Sequence, residues 1–491
     1  MSIINVSNLT FSYDKSYDNI FESVSFALDT NWKTGFIGRN GRGKTTFLNL
    51  LMGKYEYSGN ISTTTKFDYF PFDMEDKSLN TIDIIQNISD SQLWQLNREL
   101  SLLQVSEDVL YRPFNTLSNG EQTKVLLAAL FLNDNRFLLI DEPTNHLDTE
   151  ARIIVSNYLK LKKGFILISH DRNFLDNCVD HILSINKTDI DIQKGNFSSW
   201  RENKKNNDNF EQAENEKLKS QIKHLSAAAK QTASWSERVE KSKHKPLSSG
   251  LSADKGYIGH KSAKMMKRSK VTETRMNKAI DDKSKLLNNI ETADDLKLSP
   301  LKFHSERLIN LTDISIYYND KKICQDIIFE INRGDRISVS GKNGSGKSSL
   351  LKLISGETIK YTGTLESSKN LIISYVSQDT SHLGGYLKEF AVKNNIDESL
   401  FKTILRKLDF SRIQFDKDIS DYSGGQKKKV LLAKSLAESA HLYIWDEPLN
   451  FIDLLSRIQI EDVILKYCPT MVFVEHDKIF RTKISTKIIT I

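Results

Sequence analysis

Two glycine-rich stretches of this 491-residue chain have the residue types and spacing of a phosphate-binding loop. The first, GRNGRGKT, runs from Gly38 to Thr45, and the second, GKNGSGKS, runs from Gly341 to Ser348. Glycine lets backbone N–H groups turn toward phosphate oxygens, the lysine reaches the outer phosphates, and the final hydroxyl can ligate Mg²⁺. These stretches, the first and second phosphate loops, therefore predict two nucleotide sites.

An aspartate–glutamate pair ends an apolar run in each half of the chain. Asp141 and Glu142 begin DEPTNHLD, and Asp446 and Glu447 begin DEPLNFID. An aspartate at a strand end can hold a magnesium-bound water, and the glutamate beside it can orient or deprotonate the attacking water. Since phosphoryl transfer depends mainly on positioning and charge neutralisation, the pairs predict nucleotide hydrolysis. We call residues 142–148 and 447–453 the first and second acidic turns.

A histidine follows each pair at nearly the same distance. His170 lies 29 residues after Asp141, and His476 lies 30 residues after Asp446. Either histidine could contact the γ-phosphate of a bound nucleotide. A lone histidine at a strand end is more often structural, but the matched spacing favours the functional interpretation.

The chain is an internal duplication. The phosphate loops recur at an offset of 303 residues, the acidic turns at 305 and the histidines at 306. Four motifs in the same order, including LSNGEQTKVLLA and YSGGQKKKVLLA, indicate two related domains, residues 1–200 and 301–491, joined by residues 201–300. Short apolar runs alternate with helical patterns in each copy, which predicts α/β domains with a mostly parallel sheet.

The segment between the domains has a different pattern. Residues 201–300 carry 22 basic and 14 acidic side chains, a net charge of +8 in a chain of net +6, so the rest carries 6 − 8 = −2. Apolar residues at 4-3-4-3 spacing, from Leu218 to Val239, predict a long helix, and a similar pattern resumes at Met276. We expect an antiparallel helical hairpin with its tip near residues 246–259. Its charge indicates a polyanionic partner such as nucleic acid; a charged spacer between two domains is the alternative.

Composition excludes several classes of protein. Charged residues make up 27% and hydrophobic residues 39%, and no apolar run reaches the ~18 residues of a membrane span. Three separated cysteines fit neither a disulfide framework nor a zinc site. We expect a cytoplasmic protein with no membrane partner and no secretion signal.

Together with LSNGE and YSGGQ, which we call the first and second signature segments, these motifs resemble the ATP-binding cassette (ABC) superfamily. The resemblance covers both halves and implies ATP and Mg²⁺ as ligands. It also implies two cassettes facing head to tail, so that the first phosphate loop meets Ser423 to Gln426 and the second meets Ser118 to Glu121. The implied nucleotide contacts are Tyr13, Gly38, Asn40, Gly41, Gly43, Lys44, Thr45, Thr46, Ser118, Gly120, Glu121, Tyr318, Gly341, Asn343, Gly344, Gly346, Lys347, Ser348, Ser349, Gln378, Ser423, Gly424, Gly425 and Gln426. The implied metal ligands are Thr45, Asp141, Ser348, Gln378 and Asp446.

The two implied sites differ. Gln378 in YVSQD matches a glutamine of the family, whereas the corresponding YFPFD has Phe72, which cannot ligate a metal. Glu121 stands where the second copy has Gln426, and a carboxylate near the γ-phosphate would weaken binding unless its charge is compensated. Tyr13 and Tyr318 fall where the family stacks an aromatic ring on adenine; plain strand residues are the alternative. Both acidic turns keep their glutamate, so we expect hydrolysis at both sites, at unequal rates.

Tandem cassettes joined by a basic helical connector resemble the ABC-F family. This resemblance implies a monomer that binds the exit-site region of the ribosome, with the connector directed toward peptidyl-tRNA and ribosomal RNA. The compact length, the EPLNFID turn and Phe72 resemble the branch that protects ribosomes from lincosamides, streptogramin A compounds and pleuromutilins. The alternatives are a housekeeping translation factor, the energising subunit of a membrane exporter and a DNA-maintenance ATPase.

Overall fold

The computed structural model describes residues 2–13, 19–72, 74, 76–89, 91–133, 136–145, 147–185, 190–241, 296–318, 321–342 and 344–491, and single positions between 260 and 278. The chain divides into two compact units. One contains Met1–Ser198 together with Ala293–Ile491, and the other is Ser199–Thr292.

The first half of the large unit, the first cassette, has nine strands and six helices within its described residues, and a seventh helix follows them. The strands are β1 (Ile3–Phe11), β2 (Phe21–Asp29), β3 (Lys33–Ile37), β4 (Ser58–Ser62), β5 (Lys66–Phe70), β6 (Arg136–Asp141), β7 (Phe165–Ile168), β8 (His181–Ile185) and β9 (Ile190–Lys194). The helices are α1 (Lys44–Leu51), α2 (Thr81–Ile88), α3 (Leu93–Leu102), α4 (Asn119–Leu130), α5 (Thr149–Leu161), α6 (Arg172–Cys178) and α7 (Phe197–Lys241).

The second cassette repeats this order. Its strands are β10 (Arg307–Tyr318), β11 (Lys321–Asn332), β12 (Arg336–Ser340), β13 (Lys360–Ser367), β14 (Ile373–Val376), β15 (Leu442–Asp446), β16 (Met471–Val474) and β17 (Lys487–Thr490). Its helices are α8 (Lys347–Ile354), α9 (Leu387–Lys393), α10 (Glu398–Lys407), α11 (Gly424–Ala437), α12 (Leu454–Tyr467) and α13 (Lys478–Ile484).

Each cassette contains a central sheet whose parallel strands end at the predicted site residues. The order is β5-β6-β7-β3-β8-β9 in the first and β14-β15-β16-β12-β17 in the second. Only β9 runs antiparallel to its neighbour in these two sheets. Because the carboxyl ends of parallel strands meet at one edge, the phosphate loop, the acidic turn and the histidine of each cassette lie together there. Each cassette also has a three-stranded antiparallel sheet, β2-β1-β4 and β11-β10-β13.

The central strands are buried on both faces, as their continuous apolar sequences predict. In β15, Leu442 and Ile444 pack into the core shared with the antiparallel sheet. Tyr443 and Trp445 point to the opposite face and pack among the helices. The Trp445 indole Nε1 donates a hydrogen bond to Ser435 Oγ at 2.9 Å, so this buried polar group is satisfied. The predicted α/β fold with two domains of the same architecture is confirmed.

The connector begins with α7, a helix of 45 residues. At a rise of 1.5 Å per residue it is about 68 Å long. The predicted tip at residues 246–259 lies outside the described residues, as do the side chains of the apolar seam and most of the second arm. The described positions between residues 260 and 278 are helical and exposed. No helix in the described parts of the chain is long and apolar enough to cross a membrane.

Candidate ATP sites

Two cavities lie between the cassettes, and each is lined by one phosphate loop and the opposite signature segment. The first composite site, about 450 Å³, contains Lys44 and Thr45 of the first loop with Ser423 and Gly425 of the second signature segment. The second composite site is about 650 Å³. Its predicted residues are Ser118, Gly120, Tyr318, Gly344, Gly346, Lys347, Ser348, Ser349, Gln378, Glu447 and His476. The head-to-tail arrangement implied by the sequence is thus the observed one.

A left-handed glycine starts the helix after each phosphate loop. Gly43 has φ +92° and precedes α1, and Gly346 has φ +94° and precedes α8. A Cβ at Gly43 would also lie 2.4 Å from Ile20 Cγ2, so both backbone conformation and space require glycine there. The free N–H groups of each helix start therefore face the cavity.

The loop lysines are held by backbone carbonyls of their own loops. Lys44 Nζ donates to Gly38 O at 2.8 Å and to Arg39 O at 3.1 Å. Lys347 Nζ donates to Gly341 O at 3.1 Å. Burial lowers the pKa of both ammonium groups, and nearby carboxylates act in the opposite direction. The two lysines are therefore cations with incomplete hydration, a favourable state for binding phosphate.

In the first composite site, hydroxyl groups hold the aspartate. Thr45 Oγ1 donates to Asp141 Oδ2 at 2.8 Å, and the Tyr69 hydroxyl donates to the same oxygen at 3.1 Å. Burial raises the pKa of Asp141, while these two hydrogen bonds favour its ionised form. Glu142 follows, and its Oε1 lies 3.3 Å from His170 Nε2. The residues predicted from distant parts of the sequence therefore meet in one cluster.

In the second composite site, the side-chain amide of Gln378 lies between the serine of the phosphate loop and the glutamate of the acidic turn. Gln378 Oε1 accepts from Ser348 Oγ at 3.4 Å, and Gln378 Nε2 donates to Glu447 Oε2 at 2.9 Å. Asn450 Nδ2 donates to the same Glu447 oxygen at 2.5 Å, and His476 Nε2 lies 3.4 Å from Glu447 Oε1. The Glu447 carboxylate is thus fixed by three side chains.

The two glutamates share an uncommon backbone conformation. Glu142 has φ +50° and Glu447 has φ +46°, in the left-handed region. Their N–H groups donate to Ile168 O and Val474 O, the last residues of the adjacent strands, at 2.9 and 3.0 Å. The strand pairing continues to the glutamate and the chain then turns sharply. Both side chains thereby line their cavities.

The electrostatic surroundings of the two glutamates differ. Burial raises the pKa of Glu142, and the adjacent Asp141 charge raises it further. Burial acts on Glu447 too, but the contact with His476 and the charge of Lys428 outweigh it, so the pKa of Glu447 is lowered. Burial and nearby cations lower the pKa of His170 well below its usual range. The two sites are chemically unequal.

The residues present fit a magnesium ion. Both carboxylate oxygens of Asp446 are buried without a hydrogen-bond partner in the described structure, and burial raises the pKa of Asp446 to about 6. Cation binding would satisfy such a group. Among the described residues no cluster of three or more His, Cys, Asp or Glu side chains could hold a metal. An ion here would therefore take its remaining ligands from hydroxyl, amide, water and phosphate oxygens, as Mg²⁺ does at nucleotides.

The predicted contacts in the two signature segments take part in helix capping. Ser118 caps α4 and Ser423 caps α11, each accepting a backbone N–H three residues on. The Glu121 carboxylate accepts from the Ser118 backbone N–H at 2.8 Å and from its hydroxyl at 2.7 Å, bonds that lower its pKa. Gln426 accepts from the Ser423 N–H at 3.0 Å. Neither Glu121 nor Gln426 lines its cavity, nor does Gly424. The charge of Glu121 is thus engaged at its own helix end.

The predicted adenine-side residues line the cavities. Tyr13 and Tyr318 are 42% and 44% exposed, and each lies beside its own phosphate loop. Tyr13 OH and Thr46 Oγ1 are 2.9 Å apart. Asn40 and Gly41 line the first cavity. Asn343 lies outside the described residues, as does His146 of the first acidic turn.

Some residues of these sites were missed in the sequence. Phe72, at the position of Gln378, is 40% exposed and does not line the first cavity; Tyr69, three residues earlier, contacts Asp141 instead. Asn40 Nδ2 donates to Phe451 O at 2.7 Å, so the second acidic turn touches the first phosphate loop. The shared tyrosine of YFPFD and YVSQD was the available signal for Tyr69. Nothing in the sequence indicated the Phe451 contact.

Comparisons with known proteins agree with this geometry. A family model described as ABC transporter matches residues 21–145 and 324–450, slightly more than half of the chain. The chain is 26% identical to the ATP-binding protein Uup of Buchnera aphidicola subsp. Acyrthosiphon pisum, with 98% of this chain and 79% of that protein covered. It is 27% identical to the ribosome protection protein VmlR of Bacillus subtilis, with 98% and 85% covered.

A solved structure shows the same fold. The archaeal ribosome recycling factor aABCE1, in complex with the ribosomal stalk protein aP1, matches with a TM-score of 0.64 at 17% identity, covering 98% of this chain and 87% of that chain. Two cassettes with complete phosphate loops and acidic turns make the protein an ATP hydrolase. The chain belongs to the ABC family, and its tandem cassettes and relatives support its place in the ABC-F group.

Proposed function

We propose that this ATPase binds the exit-site region of the ribosome in its ATP state and protects translation from antibiotics of the peptidyl-transferase centre. The drugs would be lincosamides, streptogramin A compounds and pleuromutilins. The protein would displace them from the ribosome. The observation that carries the proposal is a basic, exposed helical arm in the same chain as two composite ATP sites. The relative VmlR, named a ribosome protection protein, supports the same interpretation.

The catalytic roles we propose follow from the contacts. Glu142 and Glu447 orient the attacking water, and His170 and His476 contact the γ-phosphate. Asp141 with Thr45 would hold Mg²⁺ in the first composite site, and Asp446 with Ser348 and Gln378 in the second. The bound ion would neutralise phosphate charge. Lys44 and Lys347 supply the fixed positive charge on the other side of the phosphates.

The connector supplies the charge that the partner requires. Lys264, Lys267 and Arg268 are exposed and helical. Ribosomal RNA presents dense phosphates, and RNA helices are recognised largely through shape and backbone contacts. The described positions between residues 260 and 278 carry six basic and no acidic side chains, which fits that surface. The net charge of +8 over residues 201–300, against −2 elsewhere, concentrates the attraction in the connector.

The test is cell-free translation stalled by a lincosamide and, separately, by a pleuromutilin. Purified protein and ATP are titrated in, with a Glu142→Gln, Glu447→Gln double variant as the turnover control. We expect synthesis to be restored by the parent protein and not by the double variant. Failure of both to restore synthesis, while the parent still sediments with ribosomes in ATP, would overturn drug protection for these classes.

A housekeeping translation factor is the second candidate. The near-equal identity to Uup, named only as an ATP-binding protein, and to VmlR favours neither role over the other. Such a factor would stimulate drug-free synthesis on stalled or initiating ribosomes. Measuring drug-free synthesis in the same extract separates the two functions.

A further inference from the structure

We propose that Tyr69 is the positioning residue for the metal-binding pair of the first composite site. In the second site Gln378 bonds to Ser348 and Glu447 instead, and the Asp446 carboxylate has no hydrogen-bond partner among the described residues. The proposal concerns ATP hydrolysis and does not depend on the identity of the ribosomal or other partner.

The Tyr69 hydroxyl group and Thr45 hold one carboxylate oxygen together. Tyr69 lies on β5 opposite Leu139 of β6, two residues before Asp141. Its hydroxyl donates to Asp141 Oδ2 at 3.1 Å, and Thr45 Oγ1 donates to the same oxygen at 2.8 Å. A carboxylate held by two donors has a fixed orientation. The half-buried Tyr69 thus orients a proposed metal ligand that it does not itself replace.

The second cassette provides an internal comparison. Tyr375 lies on β14 opposite Ile444 of β15, again two residues before the aspartate. Despite this matching register, its buried hydroxyl has no hydrogen-bond partner among the described residues. There Gln378 bridges Ser348 and Glu447, at 3.4 and 2.9 Å. Gln378 thus supports the serine and the glutamate, whereas Tyr69 supports the aspartate, and no described side chain holds Asp446 in the way that Tyr69 holds Asp141.

The charged residues near Tyr69 and near Tyr375 have opposite signs, and the positive one lies near Tyr69. Lys54 Nζ lies 5.5 Å from the centroid of the Tyr69 ring. A cation near the ring draws electron density from the phenol and makes its hydroxyl a stronger donor. The corresponding residue of the second cassette, 303 positions later, is Glu357. The charge of Glu357 acts on Tyr375 with the opposite sign.

The test isolates one site at a time in the full chain. In a Lys347→Ala background, which confines ATP to the first site, Tyr69→Phe is compared with its parent. In a Lys44→Ala background, Tyr375→Phe is the matched control at the second site. The probe is Mn²⁺ with ATP, and the affinity for Mn²⁺ is read by electron paramagnetic resonance. ATP affinity in EDTA and the Tm of each variant are measured in parallel.

We expect Tyr69→Phe to weaken Mn²⁺ binding by about 10- to 100-fold, the range for outer partners of metal ligands. Its metal-free ATP affinity and Tm should equal those of the parent, and Tyr375→Phe should leave the affinity for Mn²⁺ unchanged. Unchanged affinity for Mn²⁺ in Tyr69→Phe would overturn the proposal. An equal loss of metal-dependent and metal-free binding would also overturn it, because that result indicates a packing role.

Discussion

Arg172 Nη2, on α6 of the first cassette, lies 3.2 Å from Asp477 Oδ2, at the start of α13 in the second. The same nitrogen donates to Glu461 on α12. Arg172 is 1% exposed, and both acids are fully buried. Asp477 directly follows His476, and Arg172 lies two residues after His170. A buried ionic contact therefore connects the chain segments that carry the histidines of the two ATP sites.

Removing Arg172 should destabilise the protein strongly. Breaking a buried ion pair from one side typically costs 3–5 kcal/mol, because it leaves an uncompensated charge. Lys483 remains 3.1 Å from Glu461, and Arg457 remains 3.6 Å from Asp477. For Arg172→Met we therefore expect a loss of about 3 kcal/mol in the free energy of unfolding, measured by urea denaturation.

The second cassette offers the control for that variant. Lys478 occupies the position of Arg172 in the duplicated sequence but is exposed. Lys478→Met should change the free energy of unfolding by less than about 0.5 kcal/mol, as exposed substitutions usually do. Similar losses in the two variants would show that the buried contact with Asp477 and Glu461 does not stabilise the interface.

The second signature segment is packed against the second acidic turn at one glycine. A Cβ at Gly425 would lie 2.7 Å from Phe451 O, whereas a Cβ at Gly424 would meet nothing within 4 Å. Alanine favours helices over glycine by about 1 kcal/mol, so helix propensity cannot explain a loss. Gly425→Ala should therefore shift the second signature segment relative to the first phosphate loop. We expect this shift to lower ATP turnover on the order of tenfold.

Steady-state ATPase assays with both alanine variants check this expectation. The loss in Gly424→Ala should be much smaller, because the space beside it is open. Equal losses in the two variants would indicate that the signature segment tolerates no added methyl group. The contact with Phe451 would then not explain the loss of turnover in Gly425→Ala.

The two glutamates should contribute unequally to turnover. Glu447 is fixed by Gln378, Asn450 and His476 and its pKa is lowered, so it is ionised and oriented. Glu142 has the matching contact with His170 Nε2, 3.3 Å from its Oε1, but no amide side chain among the described residues bonds to it, and its pKa is raised. Glu447→Gln should therefore remove most of the steady-state ATP turnover and Glu142→Gln the smaller part. Identical losses would contradict this inequality.

The sequence predicted what depends on local pattern. Buried strands such as β15 and the glycine turn at Gly346 follow from residues within a few positions of each other. The contact of Tyr69 with Asp141 depends on strand register, and that of Arg172 with Glu461 joins residues 289 apart. Local patterns carry no information about such pairs.

Glu121 shows a second limit of sequence reasoning. Its position in the signature segment predicted a carboxylate beside the γ-phosphate. In the structure its side chain accepts two hydrogen bonds from Ser118 and completes a capping box at α4. The motif fixes which residues stand near the cavity. Whether the Glu121 side chain faces the ligand or caps its own helix depends on the three-dimensional structure, which the motif does not specify.

If the connector binds RNA, its affinity should depend on salt through the exposed arm. Each phosphate contact that is lost reduces the slope of log affinity against log salt concentration by roughly 0.7 to 0.9. Reversing the charges of Lys264, Lys267 and Arg268 should therefore weaken ribosome binding and flatten this slope by about 2. Sedimentation with ribosomes in ATP at several salt concentrations gives both quantities. Reversal of exposed Lys369, Lys388 and Lys393 in the second cassette makes the same change in net charge. An equal change of slope in that control would mean that net charge, and not the connector arm, governs binding.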